Sequence, residues 1–422
     1  MGWKLLPVVA GVAALAALPM LLSAGLLNAS IQMLIAALFA CAYSLLAGRA
    51  GLLSFGHAAY FGVGAFATVH AMNAFGGAGL LPTPLLPLVG GFAGLAVGLA
   101  AGWFATQRSG TTFAMITLAV AELLHSLAPQ LKGWFGGESG ISAMRMPAWG
   151  LSFGSTVDVY YLTLVWVLVC LAMLHFHGRT PIGRLTLALR ENGHRLKFLG
   201  YDAHGVGLSA FAISSMFAGV AGSLQALNNE AANYVVFEAS VSAAVVLNSY
   251  IGGVGSFLGP AFGAALMTFF GYAVSDATRS WLLYQGVLFV LVMMFLPAGL
   301  TGLFSVVGRL AAARGWPLAL GVSGLAIAGA LCAAAGVVFV VEMLQRLCSQ
   351  DYRALAGMAQ SWPPIPLFGR HWSPGSPATW LVPVVLLSSA ALLRWAARRC
   401  LTPATDRPGR IAPAPMAEEA LP

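Results

Sequence analysis

The chain is short of charge. Asp, Glu, Lys and Arg make up 8% of its 422 residues, where a soluble domain averages about 25%. That scarcity excludes an ordinary soluble globular domain. Lysine is almost missing: Lys4, Lys132 and Lys197 stand alone. None lies in a GxxxxGK[ST] loop, whose backbone N–H groups and Lys would cradle phosphates. ATP hydrolysis by that chemistry is therefore excluded for this chain. HExxH and paired-cysteine signatures are also missing. The cysteines Cys41, Cys170, Cys332, Cys348 and Cys400 show neither a disulfide framework nor metal-ligand spacing.

What is abundant is apolar. Hydrophobic residues reach 59% and glycines number 50. A spanning helix needs about 20 apolar residues, and helices satisfy the backbone where lipid offers no partner. Small residues allow helices to approach closely. The expected fold is all-α, a polytopic transmembrane bundle. Apolar runs predict spans near 5–24, 31–47, 52–73, 84–106, 111–129, 159–176, 205–228, 239–256, 258–276, 281–298, 317–341 and 378–396. The first run, after Lys4, reads as a retained span rather than a cleaved signal. The uncharged turn Gly252–Gly259 leaves open a re-entrant hairpin for 239–276.

Net charge is +8, which points to loops facing anionic lipid and not to nucleic acid. Alternating the spans from a cytoplasmic N-terminus puts Arg49, Arg108, the Gly178–Asp202 loop, Arg309 with Arg314 and the Arg394–Arg410 tail inside. Both termini are then cytoplasmic. Lys132, Arg145, Arg346, Arg353 and Arg370 are the exceptions. Three regions follow: a dense set of spans over 1–304, a two-span extension over 305–400 with a Pro/Trp-rich outer loop, and a Pro/Ala tail over 401–422, expected to be disordered.

The loop GRTPIGRLTLALRENGHRLKFLGYD (Gly178–Asp202) is an island of charge. Ile182, Leu185, Leu189, Leu196 and Leu199 recur at mostly helical spacing, with Arg184, Arg190, Arg195 and Lys197 off that stripe. Pro181 suits a first helical turn and Gly193 divides the helix. Such a helix fits a groove of a cytoplasmic partner, or lies on the bilayer.

Three further features are candidates for a pathway. Ser54, His57 and Tyr60 lie in or near a glycine-broken span, GLLSFGHAAYFGVGAF; tight internal packing is the alternative. Glu122 lies inside a span with His125 three residues on. An intramembrane carboxylate is costly and marks a functional site or a structural pair. Asn248 and Ser249 interrupt an apolar span before Gly252 and Gly253, facing either the path or a neighbouring helix.

Taken in order, these strings resemble the permease subunits of branched-chain amino acid ABC importers. The strings are GLLSFGHAAYFGVGAF, FAMITLAVAELL, the Gly178–Asp202 loop, IGGVGSFLGPAFGAAL and LPAGLTGLF, and the match covers about residues 25–304. The loop resembles the family form SPFGRALRAIRENE…ALG, and the order favours the larger of the two paired permease types. The resemblance implies a second permease, cytoplasmic ATPase subunits that alone use ATP, and a periplasmic substrate-binding protein. It implies that Arg184, Leu185, Leu189, Arg190, Glu191 and Asn192 couple to the ATPase, and that the chain binds no cofactor and is not itself an enzyme. It implies a bacterial inner membrane.

Departures are the extension beyond 304, the polar Asn248-Ser249-Tyr250, and the acidic Glu230 and Glu238 near the outer face. Members also carry urea, amides and other small polar solutes. A stand-alone proton-coupled transporter using Glu122 and His57, and a multispan enzyme, are the rivals.

Overall fold

Apolar runs become helices in the computed structural model, which describes residues 6–401 apart from 76–80, 151, 276, 277, 279, 297, 360, 361 and 369. The tail expected over 401–422 lies, beyond Leu401, outside the described residues. The chain divides into two compact units, Met1–Leu303 and Phe304–Pro422.

The first unit begins with α1 (Leu6–Leu21) and α2 (Ala24–Ser44), which runs on into a π-helical turn, Leu45–Ala50. Gly51, at φ +71°, takes a left-handed conformation and stops it. Residues 51–56 are unwound, and α3 starts only at His57 and runs to Phe75. Then come α4 (Leu86–Ala105), α5 (Gly110–Leu127), the short α6 (Lys132–Phe135) and α7 (Thr156–His177). The basic helix α8 (Pro181–Phe198) leads into α9 (Ala203–Asn229). A pair of short helices, α10 (Ala239–Gly252) and α11 (Gly259–Ser275), precedes α12 (Trp281–Phe295) and α13 (Gly299–Arg314).

The core sits around α2, α3, α4 and α9. Their approach is set by glycine. A Cβ on Gly64 would run into the backbone of Gly219, and one on Gly219 into the carbonyl of Gly90. Only bare backbones can cross so closely. At one end of the unit, β1 (Ile141–Ser142) pairs antiparallel with β2 (Ala231–Ala232). Arg145 locks that end: its Nε lies 3.1 Å from Glu230 Oε1, and its guanidinium donates to the Leu227 carbonyl at 2.9 Å.

In the second unit α14 (Trp316–Cys348) packs on α16 (Pro377–Leu401). Between them lie α15 (Gln350–Ala359) and a hairpin of β3 (Ile365–Leu367) and β4 (Arg370–Trp372). Phe339, Met343, Ile365 and Leu367 form a small core there. The stretch expected as a plain loop thus carries a hairpin, held by Trp372 Nε1 donating to the Leu367 carbonyl at 3.1 Å.

Seven helices among the described residues are long and apolar enough to cross a membrane; α12 and α13, bent by 43°, would together make an eighth. The expected runs 5–24, 52–73, 239–256, 258–276 and 281–298 give the shorter or more polar helices α1, α3, α10, α11 and α12. Breaks at 51–56 and 253–258 shorten three of them. At 14 residues α10 reaches about 21 Å, less than the roughly 30 Å of a hydrocarbon core.

Candidate functional site

The basic helix α8 lies at the end of the first unit that also holds the 45–50 turn. Thr180 caps it, its hydroxyl accepting from Gly183 N at 3.1 Å. The helix breaks at Asn192, whose backbone is extended (φ −162°, ψ 101°). Asn192 Oδ1 then caps the following segment, accepting from His194 N and Arg195 N, each at 3.0 Å. The break expected at Gly193 therefore falls one residue earlier, because an Asn side chain can replace the lost backbone bonds.

The coupling candidates divide into two groups. Arg184, Glu191 and Asn192 are exposed. Exposed with them are Ile182, Leu187, Phe198 and Leu199, with Phe198 91% open. Leu189 turns the other way and packs on the chain's own core. Leu185 is half-buried. Arg190 keeps an exposed surface, yet its guanidinium donates to the Gly48 carbonyl in the π-helical turn. Arg49 in turn donates to the Gly178 carbonyl at 2.8 Å.

The pathway candidates separate in the same way. His57 is fully buried at the start of α3. Its Nε2 lies 2.8 Å from Ser214 Oγ on α9, and Ser214 donates to the Ala42 carbonyl on α2 at 2.6 Å. Ser214 therefore accepts from His57 Nε2–H. Nδ1 is left facing the fully buried Ser54 hydroxyl at 3.4 Å. Phe39, Tyr43, Tyr60 and Phe211 ring the imidazole. Both nitrogens of His57 are thus occupied inside the bundle, and the residue clamps α2, α3 and α9 together.

Ser249 is likewise buried, donating to the Val245 carbonyl at 2.6 Å. Gly252 and Gly253 lie where α10 turns toward α11: a Cβ on Gly252 would meet the Gly259 carbonyl, and Gly253 sits at φ +104°. Asn248 is 9% exposed, and its Oδ1 has no hydrogen-bond partner among the described residues.

Glu122 is different. It is exposed on α5, and no hydrogen bond joins it to His125 among the described residues. Thr111, Met115, Leu118, Glu122 and Ser126 recur every three or four residues along one open face. An apolar groove of about 620 Å³ beside α5 is lined by Phe66, His70, Leu124 and Trp134 among others. None of the sequence-predicted pathway residues lines it.

Residues 25–297 match the family described as the permease component of the branched-chain amino acid transport system. The chain belongs to this family. The permease is 28% identical over 306 residues to the high-affinity branched-chain amino acid transport system permease protein LivM of Escherichia coli K12. It is 27% identical to the LivM protein of Salmonella typhimurium LT2. Each alignment covers 67% of this permease and 71% of the relative. No solved structure matches.

The sequence did not single out Ser214, Gly48 or Gly178. Ser214 lies 157 residues from His57. Its only signal is the hydroxyl pair Ser214-Ser215 inside an apolar helix. Gly48 and Gly178 precede isolated arginines at helix ends, a weak cue.

Proposed function

We propose that the permease is one membrane subunit of an ABC importer for branched-chain or related amino acids. A second permease completes the pathway, separate ATPase subunits consume ATP, and a periplasmic binding protein delivers the solute. The chain itself binds no cofactor. It is multi-pass in the bacterial inner membrane, with both termini cytoplasmic.

The family match over residues 25–297 carries the reading. Two features of the geometry support it. The open side of α8, with Arg184, Glu191, Ile182, Leu187 and Phe198, offers a mixed basic and apolar surface. That composition suits a groove on a cytoplasmic ATPase. The α5 face holds a carboxylate where lipid cannot solvate it. Cover by the second permease, or water in the path between the two, relieves that cost.

The occupied nitrogens of His57 count against a proton relay through it. One observation favours a second substrate class. Asn248, its carboxamide oxygen unpartnered among the described residues, follows the apolar run Ala243–Leu247 of α10. A path polar there suits urea, amides or other small polar solutes.

The test is affinity capture of the permease from detergent-solubilised native membranes, with mass spectrometry of its companions. An ATPase and a second permease are expected. The chain alone, active in proteoliposomes without ATP, overturns the reading. Uptake of labelled leucine against labelled urea separates the substrate classes.

A further inference from the structure

Two arginines tie the end of α2 to α8 and to the α7–α8 junction, each donating to a glycine carbonyl on the other side. Arg190 on α8 donates to Gly48 in the π-helical turn. Arg49, the next residue in that turn, donates to Gly178 at the junction of α7 and α8, at 2.8 Å. A helix end leaves carbonyls without N–H partners. In the 45–50 turn, Leu46 is met by the N–H groups of Gly51 and Leu52, whereas Gly48 is met by an arginine from another helix.

The space for both side chains is provided by glycine. A Cβ on Gly178 would overlap the Arg49 guanidinium, and one on Gly51 would lie 2.9 Å from Arg190 Cγ. The same turn abuts the next break: a Cβ on Gly48 would strike the Val254 carbonyl in the turn between α10 and α11. The Gly252 carbonyl there accepts from Thr301 at 2.8 Å. Surface, clasp and second break are therefore contiguous. Single π turns inside helices are frequent at functional sites.

We propose that this reciprocal arginine clasp makes α8 and the π-helical end of α2 move as one body, with Arg49 and Arg190 as positioning residues for transport. The proposal rests on the reading of α8 as the ATPase-facing surface. Arg190 then acts within its own chain and does not touch the ATPase. Movement of α8 on nucleotide binding is delivered to α2 and to the 253–258 turn, where a loose contact would dissipate it. The planar, permanently charged guanidinium suits a fixed contact better than a flexible ammonium.

The experiment uses the whole importer in proteoliposomes with its binding protein and labelled leucine. Arg49→Gln and Arg190→Gln are compared with wild type for leucine moved per ATP hydrolysed, and for ATPase retained on purification. Expected is a fall in that ratio of about tenfold in either variant, with the ATPase still bound. The double variant should fall no further, since the two bonds act as a unit. An unchanged ratio in both single variants overturns the clasp. So does loss of the ATPase from the Arg190→Gln complex, which would make Arg190 a direct contact. If a glutamine variant does not accumulate, the lysine variant replaces it, with a fall of about fivefold expected; a wild-type ratio overturns the proposal. Failure of wild-type vesicles to take up leucine counts instead against the transport reading.

Discussion

The two units of this permease are built from similar apolar helices but are packed to different standards. In α9 of the first unit, 72% of an apolar 18-residue stretch is buried inside the protein; in α14 of the second the figure is 17%. The glycines show why. A Cβ on Gly222 in α9 would collide with the Phe61 carbonyl, and one on Gly64 with Gly219. In α14, Cβ atoms on Gly321 and Gly324 would meet nothing outside their own helix among the described residues, and those on Gly329 and Gly336 would approach α16 only at 3.4 and 3.1 Å. Buried hydroxyls follow the same division. Thr68, Ser214, Ser223 and Ser242 tie helices of the first unit together. Density of backbone contact and of internal polar bonds therefore distinguishes the first unit, which carries the family match.

The comparison breaks most sharply at Gly222. Gly222→Leu should abolish accumulation of folded protein, because overpacking costs about 1–3 kcal/mol even where neighbours can yield and here the obstacle is backbone. Size-exclusion profiles of detergent extracts check this. A monodisperse peak at wild-type yield would show that α3 and α9 can separate freely.

Next in size is the His57 clamp. Ser214→Ala removes the hydroxyl that accepts from His57 and donates to Ala42, leaving both without it. A buried group left unpaired costs about 1–3 kcal/mol. A lower Tm of the purified complex is expected, and the Ser214→Ala/His57→Ala double variant should fall by less than the sum of the two single shifts, since the two residues share one network. Full additivity of the two Tm shifts would sink the network.

How much of this was readable beforehand depends on range. Break positions were legible because Gly51, Gly193 and the Gly252-Gly253 pair are local signals, and the Asn192 kink fell one residue away. The apolar runs located nearly every long helix. Partners were not legible. Arg190 looked like part of a cytoplasmic surface, since its spacing sets it off the apolar stripe, but spacing cannot show that the π turn at 45–50 brings Gly48 within reach. The His57–Ser214 bond joins residues far apart in sequence, and only the crossing of α3 and α9 brings them together. Likewise α13, α15 and the β3–β4 hairpin carried no strong periodic signal; Ile365 and Leu367 flank a single proline and become strand through packing on Phe339.

A smaller effect is expected at Glu122, where the first unit most resembles the second in being open. Glu122→Gln keeps the shape and removes the charge, so the permease should accumulate normally. Leucine uptake, or retention of the second permease, should fall several-fold. If both match wild type, the α5 face is neither path nor interface.

The smallest effects belong to the second unit. The family match ends at residue 297, and the small core of the extension is made from its own residues. Removing residues 315–422 spares α13 and should leave ATPase retention and leucine uptake close to wild type. Gly324→Ala sharpens the point within the extension. Outside its own helix, no atom of the described residues lies within 4 Å of the added methyl, and alanine is favoured over glycine in a helix interior by about 1 kcal/mol. The variant should match or slightly exceed wild-type Tm, where Gly222→Ala, a change of the same chemistry, lowers it. Equal responses at the two glycines would mean that the contrast in packing between the units has no energetic consequence.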